Sequence, residues 1–247
     1  MLGGTAEARE LAAALDADGV HVVSSLAGRV SRPRLPAGEV RIGGFGGPEG
    51  LASWLRERGV SAVVDATHPF AQRISASAAR ACPAAGVELL RLERPGWSER
   101  PGDSWHWVDD LSQAAELVPR LGRRVLLTTG RQGLAAFADV DSAWFLIRCV
   151  DQPESPLPPH SEVLLDRGPY ELSGEIELID RHGIDLVVTK DSGGRHTSAK
   201  LDAARERGLP VVVVRRPARP TVPAVVTVTD ALAWVARAAQ PGYRRGV

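Results

Sequence analysis

Residues 62–70 read Ala-Val-Val-Asp-Ala-Thr-His-Pro-Phe. The first four form a short apolar run closed by an acid, the pattern of a strand buried on both faces of a parallel sheet. Phe70 opens a stretch to Ala81, rich in Ala, Ser and Arg, that reads as a helix. Strand, polar turn and helix in that order are half of a βα crossover. The rhythm continues outward on both sides. Strands are predicted at 21–25, 40–42, 88–92, 124–128, 143–149, 185–190 (DLVVTK) and 211–215 (VVVVR). Helices are predicted at 7–18, 48–58, 171–182, 197–207 and 230–239. The helix at 48 opens on Pro48 in a first-turn position and stops before Gly59. The fold class is therefore α/β, with mainly parallel sheets and right-handed crossovers.

The rhythm breaks at 93–110, where Pro95, Gly96, Pro101 and Gly102 lie among Trp97, Trp105 and Trp107. A second βα series starts near Arg124. Two units are predicted, residues 1–110 and 111–247, with the tryptophans packed at their junction or, alternatively, forming a partner-facing patch. A proline-rich loop (DQPESPLPPH) spans 151–160. Only Met1 and Leu2 precede Gly3-Gly4, so the first strand is very short or its upstream residues lie outside this chain.

The totals narrow the function classes. The 247 residues suffice for a sizeable core, and 44% hydrophobic with 24% charged residues is ordinary globular composition. Lys plus Arg and Asp plus Glu both number 30, so the net charge is zero and a general nucleic-acid binder is not indicated. No apolar run is long enough to span a bilayer, and the N-terminus lacks a basic-then-apolar leader. The cytoplasm is the expected compartment, with no membrane partner. Cys82 and Cys149 have no CxxC spacing and read as free core thiols, and no metal site is expected.

Four loops carry chemistry. Gly3-Gly4-Thr5-Ala6-Glu7-Ala8-Arg9 leads into a helix, whose first amides and partial positive charge suit a phosphate. Thr5 is suited to cap that helix or to bond a phosphate oxygen, and a plain capped turn is the competing reading. After the next strand come Ser25, Leu26, Ala27, Gly28 and Arg29, with no acid to hold ribose hydroxyls. An arginine there suits the 2′-phosphate of NADP, or is a solvated loop charge. Gly43-Gly44-Phe45-Gly46-Gly47 offers a loop of little bulk that lies against a cofactor or simply turns. Thr67 and His68 follow the 62–65 strand at its C-terminal end, where ligands of open parallel sheets bind. His68 is a candidate proton relay or donor, or a brace before Pro69.

In the second half, Thr128-Thr129-Gly130-Arg131 and Thr189-Lys190-Asp191-Ser192-Gly193-Gly194 end two strands. Arg131 and Lys190 are candidate carboxylate partners, and Ser192-Gly193 a candidate anion nest. Asp191 is a candidate proton donor beside His68, or the local ion-pair partner of Lys190. Lys200 reads as a solvated helix residue.

Taken in order, GGTAEAR, SLAGR, RIGGFGG, DATHPFA, RLERPGW, VTKDSGG and VVVVRRP resemble the precorrin-6A reductase family over residues 2–216. The resemblance implies two Rossmann-like domains with an interdomain cleft. It implies a cytoplasmic oxidoreductase of cobalamin (vitamin B12) biosynthesis, of the class acting on CH–CH groups, that reduces a double bond of precorrin-6A, a tetrapyrrole-derived substrate, to give precorrin-6B. NADPH is the implied hydride donor, with NADH the alternative in cobalt-precorrin-6A reductases. Carried over position by position, Gly3, Gly4, Thr5, Glu7 and Ala8 fall in the first cofactor loop, and Ser25, Ala27, Gly28 and Arg29 in the second. Gly43 and Gly44 lie nearby, and Thr67 and His68 fall in the third. Arg131, Lys190, Ser192 and Gly193 are the expected substrate residues, with His68 and Asp191 catalytic. A monomer or small homo-oligomer is expected. Two rivals remain. A short-chain dehydrogenase needs Tyr-x-x-x-Lys, but Gly174 follows Tyr170 at that spacing and Val247 follows Tyr243. A non-catalytic NADP sensor would bind the dinucleotide without turnover.

Overall fold

The computed structural model describes residues 1–28, 34–154, 156–194 and 197–238. It divides into two compact units, Met1–Arg94 with the segment from Pro217 onward, and Pro95–Arg216. In chain order the first contains α1 (Ala6–Ala17), β1 (Val23–Leu26), β2 (Glu39–Ile42), α2 (Pro48–Glu57), β3 (Ala62–Asp65), α3 (Gln72–Ala85) and β4 (Glu88–Leu92). The second contains β5 (Ser104–Val108), α4 (Leu111–Leu121), β6 (Arg124–Leu127), a 3-10 turn at Leu134–Phe137, β7 (Trp144–Cys149), β8 (Ser161–Leu165), α5 (Leu172–His182), β9 (Leu186–Lys190), α6 (Ala199–Glu206) and β10 (Pro210–Val214). The chain then returns to the first unit with β11 (Ala224–Val225) and α7 (Val228–Ala238).

In the first unit β1 pairs with β2, and β4 pairs with both β3 and β11, all in parallel. Leu2 joins the two groups by parallel bridges to Ser25 and Asp65. Its N–H donates to Val64 O at 2.9 Å and its carbonyl accepts from Ala66 N at 2.9 Å. The first strand is thus reduced to one residue, with order β2-β1-Leu2-β3-β4-β11. Beside Leu2, a cavity of about 320 Å³ lies between β1 and β3, lined by Val22, Val23, Ala62 and Val63 and by the α2 leucines Leu51 and Leu55. Neighbouring residues on a strand face opposite ways. Val64 accordingly packs with Ala8, Leu11, Ala12 and Leu15 of α1 and with Ala231 and Val235 of α7. Val63 packs with Leu51, Ala52 and Leu55 of α2 and with Ala78, Ala81 and Cys82 of α3.

The second unit is one six-stranded parallel sheet in the order β5-β10-β9-β6-β7-β8. Its central runs, Val125–Leu127, Leu186–Val188 and Val211–Val214, are buried throughout, which is why they read as unbroken apolar sequence. α5 and α6 supply Ile179, Leu201, Ala203 and Ala204 to its core.

Two sequence expectations change. The second unit does not run from 111 to the C-terminus: the Trp-bearing segment is β5, pairing in parallel with β10, while α7 packs on α1 in the first unit. The tryptophans Trp97, Trp105 and Trp107 pack on the second unit's own core. Cys82 and Cys149 are buried free thiols, and burial pushes Cys82 up to about 11. No described helix is long and apolar enough to cross a membrane.

Both units share one strand order. Reading Leu2 or β6 as strand 1, each runs 3-2-1-4-5 with a sixth strand at the edge: β11, downstream, in the first unit, and β5, upstream, in the second. The order reverses between strands 1 and 4, and ligands of such sheets bind beyond the C-terminal ends at that point. In the first unit this point is Gly3 and Ala66. In the second it is Thr128 and Asp191.

Candidate functional site

At the first switch point, Thr5 caps α1. Its Oγ1 accepts from Ala8 N at 3.1 Å and donates to Ala66 O at 2.9 Å. Its single proton is therefore committed to joining the two loops, which favours capping over donation to phosphate. Ala8 is buried and its amide is used by that cap. Helix geometry leaves the amides of Ala6 and Glu7 pointing outward at the positive end of the helix. Glu7 turns away to pair with Arg94 at 2.6 Å. Gly3 packs under Leu26 and Ala8, whereas Gly4, with φ +120°, has nothing within 4 Å of where a side chain would start. Only glycine adopts that backbone cheaply, and it leaves the helix start uncovered. Nearby, Ser24 Oγ is buried with no hydrogen-bond partner among the described residues, and Ser24, Gly3, Gly4 and Arg9 line one small cavity.

Ser25 follows in the bridge to Leu2, while Ala27 and Gly28 are exposed beyond β1. Gly28 lies against Ile42, whose methyl would stand 3.0 Å from an added Cβ. Arg29 lies outside the described residues. Arg41 shapes the glycine loop after β2. Its guanidinium donates to Gly43 O at 2.6 Å and to Gly44 O at 2.7 Å, and lies 3.8 Å from the Phe45 ring centroid. Gly43 and Gly44 have open space where a side chain would begin. The arrangement suits a dinucleotide: a bare helix start, three glycines with no bulk above them, and a buried hydroxyl with no partner among the described residues.

The turn after β3 is built on Asp65, which is 1% exposed. Its Oδ1 accepts from Thr67 N at 3.2 Å and Thr67 Oγ1 at 2.6 Å, and its Oδ2 accepts from Arg219 at 3.0 Å. Thr67 is thereby a buried brace. His68 is half-buried, and its Nδ1 accepts from Phe70 N at 3.3 Å, which leaves the neutral ring's proton on Nε2.

At the second switch point the predicted residues also gather. Lys190 Nζ donates to Gln132 O at 3.3 Å, so the loops after β6 and β9 meet, and burial pushes its ammonium down to about 8. Arg131 stands 3.6 Å from Asp151. Thr129 is buried, and its hydroxyl has no hydrogen-bond partner among the described residues. Ser192 Oγ pairs with Thr197 Oγ1 at 3.3 Å, and Gly193 and Gly194 both have positive φ. Asp191 is not an uncommitted acid. Its carboxylate accepts from Trp97 N at 3.0 Å and pairs with Arg216 Nε at 3.0 Å, with Arg216 rather than Lys190 as its ion-pair partner.

Lys200 is a correction. It is 4% exposed, with Nζ 4.9 Å from the Trp97 ring centroid and donating to Thr197 O. Burial, and then Arg148, push it down to about 7 against the pull of Glu175. Sequence reasoning also missed Arg41, Arg216 and Arg219. Arg41 and Arg216 lie within RIGGFGG and VVVVRRP, which carried no role for either arginine, and Arg219 lies beyond the last motif.

A family profile described as "Precorrin-6x reductase CbiJ/CobK" matches residues 1–236. This chain belongs to that family. It is 57% identical over 239 residues to a precorrin-6A reductase of Rhodococcus erythropolis, covering 95% of this chain and 96% of that one. A Mycobacterium tuberculosis protein of the same name is 53% identical, with 96% of each chain covered. A solved structure titled "CobK precorrin-6A reductase" superposes with TM-score 0.92 at 42% identity, covering all of this chain and 98% of its own. In this precorrin-6x reductase family member, the glycine turn and the DATHP turn stand together at one switch point, and the cationic loops stand at the other.

Proposed function

We propose that this protein reduces precorrin-6A to precorrin-6B in the cytoplasmic synthesis of cobalamin, taking hydride from NADPH. The observation that carries the reading is the uncovered start of α1, tied through Thr5 to the DATHP turn in a chain of the precorrin-6x reductase family. When bound, a reduced nicotinamide supplies hydride to an electron-poor carbon. The Gly4 turn and the amides of Ala6 and Glu7 hold the pyrophosphate. Gly43 and Gly44 leave room for the adenosine half, with Ser25, Ala27 and Gly28 beside them. Thr67 and Asp65 fix the turn on which His68 offers its Nε2–H as a hydrogen-bond donor, and the adjacent carbon takes up its proton from water.

The substrate is broad and edged with carboxylates. Arg131 and Lys190 pair with those carboxylates, and the Ser192-Gly193 turn offers backbone amides. Lys190 is suited to this because a carboxylate would restore the charge that burial now disfavours. Asp191 holds the loop and donates no proton.

Mixing the purified protein with precorrin-6A and either nucleotide tests the reading. Reduced-nicotinamide absorbance falls with NADPH, together with the long-wavelength absorption of the macrocycle. No nucleotide oxidation with authentic precorrin-6A overturns it, and faster oxidation of NADH transfers the donor role to NADH.

A further inference from the structure

The chain passes between its units twice, at Arg94–Pro95 and at Arg216–Pro217. In each unit a buried aspartate anchors the flanks of both passages, directly in the second unit and through Arg219 in the first. In the first unit, Asp65 Oδ2 accepts from Arg219 Nη2 at 3.0 Å, two residues beyond the return passage. Arg219 Nη1 stands 3.3 Å from Glu93, one residue before the outward passage. Arg91 reinforces this by donating to Pro220 O at 2.9 Å. In the second unit, Asp191 Oδ1 accepts from Trp97 N, just after the outward passage, and Oδ2 pairs with Arg216, the last residue before the return. Gly96 has no room for a side chain: an added Cβ would lie 2.5 Å from Asp191 Oδ2.

The two aspartates hold equivalent places. Asp65 closes strand 4 of the first sheet, and Asp191 directly follows strand 4 of the second. Each also fixes the loop of its own switch point. Asp65 Oδ1 accepts both protons that Thr67 offers, setting the turn to His68. Asp191 begins the glycine loop, and the Trp97 it holds closes that loop by donating Nε1–H to Gly194 O at 3.3 Å. One carboxylate in each unit therefore does two jobs, tethering the passages and shaping a site.

We propose that Asp65 and Asp191 are paired positioning residues for the reduction, Asp65–Arg219 setting the nucleotide loop and Asp191–Arg216 setting the macrocycle loop. The inference rests on the reductase reading and deepens it. Charge-assisted hydrogen bonds in a buried place are the strong class, and removing one partner leaves the other charge unmatched. Replacing the carboxylate by an amide keeps the shape and an acceptor but removes the charge.

The test uses the whole chain with Asp65→Asn, Asp191→Asn, Arg219→Lys and Arg216→Lys, each followed by kcat, both KM values, NADPH affinity without substrate, and Tm. Asp65→Asn raises the KM and Kd for NADPH by about tenfold and leaves the KM for precorrin-6A within about twofold, the size expected for one charged hydrogen bond. Asp191→Asn does the reverse, raising the precorrin-6A KM and leaving NADPH affinity unchanged. The lysine variants show the same split at smaller size, and they carry the test if an asparagine variant fails to fold. A fall in Tm with both KM values unmoved, or the same loss for both ligands in every variant, overturns the proposal. A wild-type chain that binds NADPH but never oxidises it with precorrin-6A overturns the reductase reading and this inference together.

Discussion

The two switch points use one strand order to make opposite kinds of surface. At the first, among the described residues, the α1 start is bare: Gly4, Gly43 and Gly44 stand open, Thr5 spends its hydroxyl within the protein, and the backbone amides are joined by the Ser24 hydroxyl and Arg9 at the rim of one small cavity. At the second, side chains dominate: Arg131, Lys190 and Arg216 converge there, with Lys200 buried behind. A backbone cradle suits one fixed anion approached closely. Long cations suit several carboxylates spread over a wide ligand. The topology fixes where a ligand sits, and the residues at the strand ends fix which ligand it is.

The comparison breaks most visibly at Gly4. Gly4→Val forces a branched residue to φ +120° and covers the start of α1, so NADPH affinity falls by about a hundredfold or more. Titration of nucleotide fluorescence reads this, and precorrin-6A binding is expected to stay intact. Loss of both ligands together would mean that the turn supports the whole unit rather than one site.

Lys190→Met is the counterpart on the other sheet. The precorrin-6A KM rises about tenfold and NADPH affinity is unchanged, as for loss of one charge-assisted contact. An unchanged precorrin-6A KM would remove Lys190 from the substrate rim.

Thr5→Ala sharpens the picture of the first turn. It deletes the α1 cap and the tie to Ala66, costing about 1–2 kcal/mol of stability. A lowered urea midpoint with an unchanged m-value checks it. No change in midpoint would mean that Thr5 is not the joint between the loops.

The smallest effect concerns pH. Lys200 has its ammonium pushed from 10.5 to about 7 by burial. Between those values the unfolded chain holds more protons at this site than the folded one, so stability rises with pH through that window and is flat below about 7. Lys200→Met removes the charge, and its stability rises less than the wild type's from about pH 7 to pH 8. Parallel slopes for both proteins would refute the buried-amine account.

Most of the architecture was legible in the chain because buried parallel strands read as unbroken valine and leucine runs. β3 and β4 fall on the predicted residues, and β6, β9 and β10 lie within one residue of theirs. β5 was not legible: SWHWV alternates aromatic and polar residues among prolines and glycines, the composition of a linker. α3 runs past its expected end at Ala81 to Ala85, keeping Pro83 inside it and stopping at Gly86 in the left-handed conformation. The glycine cradle could be read from sequence because positive φ selects glycine. The aspartate–arginine pairs could not, since Arg219 meets Asp65 Oδ2 at 3.0 Å across 154 residues of sequence. Lys200 misled for a related reason: a lysine on a short helix looks solvated until the Trp97 loop is laid over it.

The most direct measurement is the fate of the hydride. Reduction of precorrin-6A with NADPH carrying deuterium on the transferred C4 position, followed by mass spectrometry of the macrocycle, should yield a product bearing one deuterium from the nucleotide and one hydrogen from solvent, and Gly4→Val should abolish that transfer at limiting nucleotide. Product formed without deuterium, or labelled equally well by Gly4→Val under the same conditions, would contradict a nucleotide held at the start of α1.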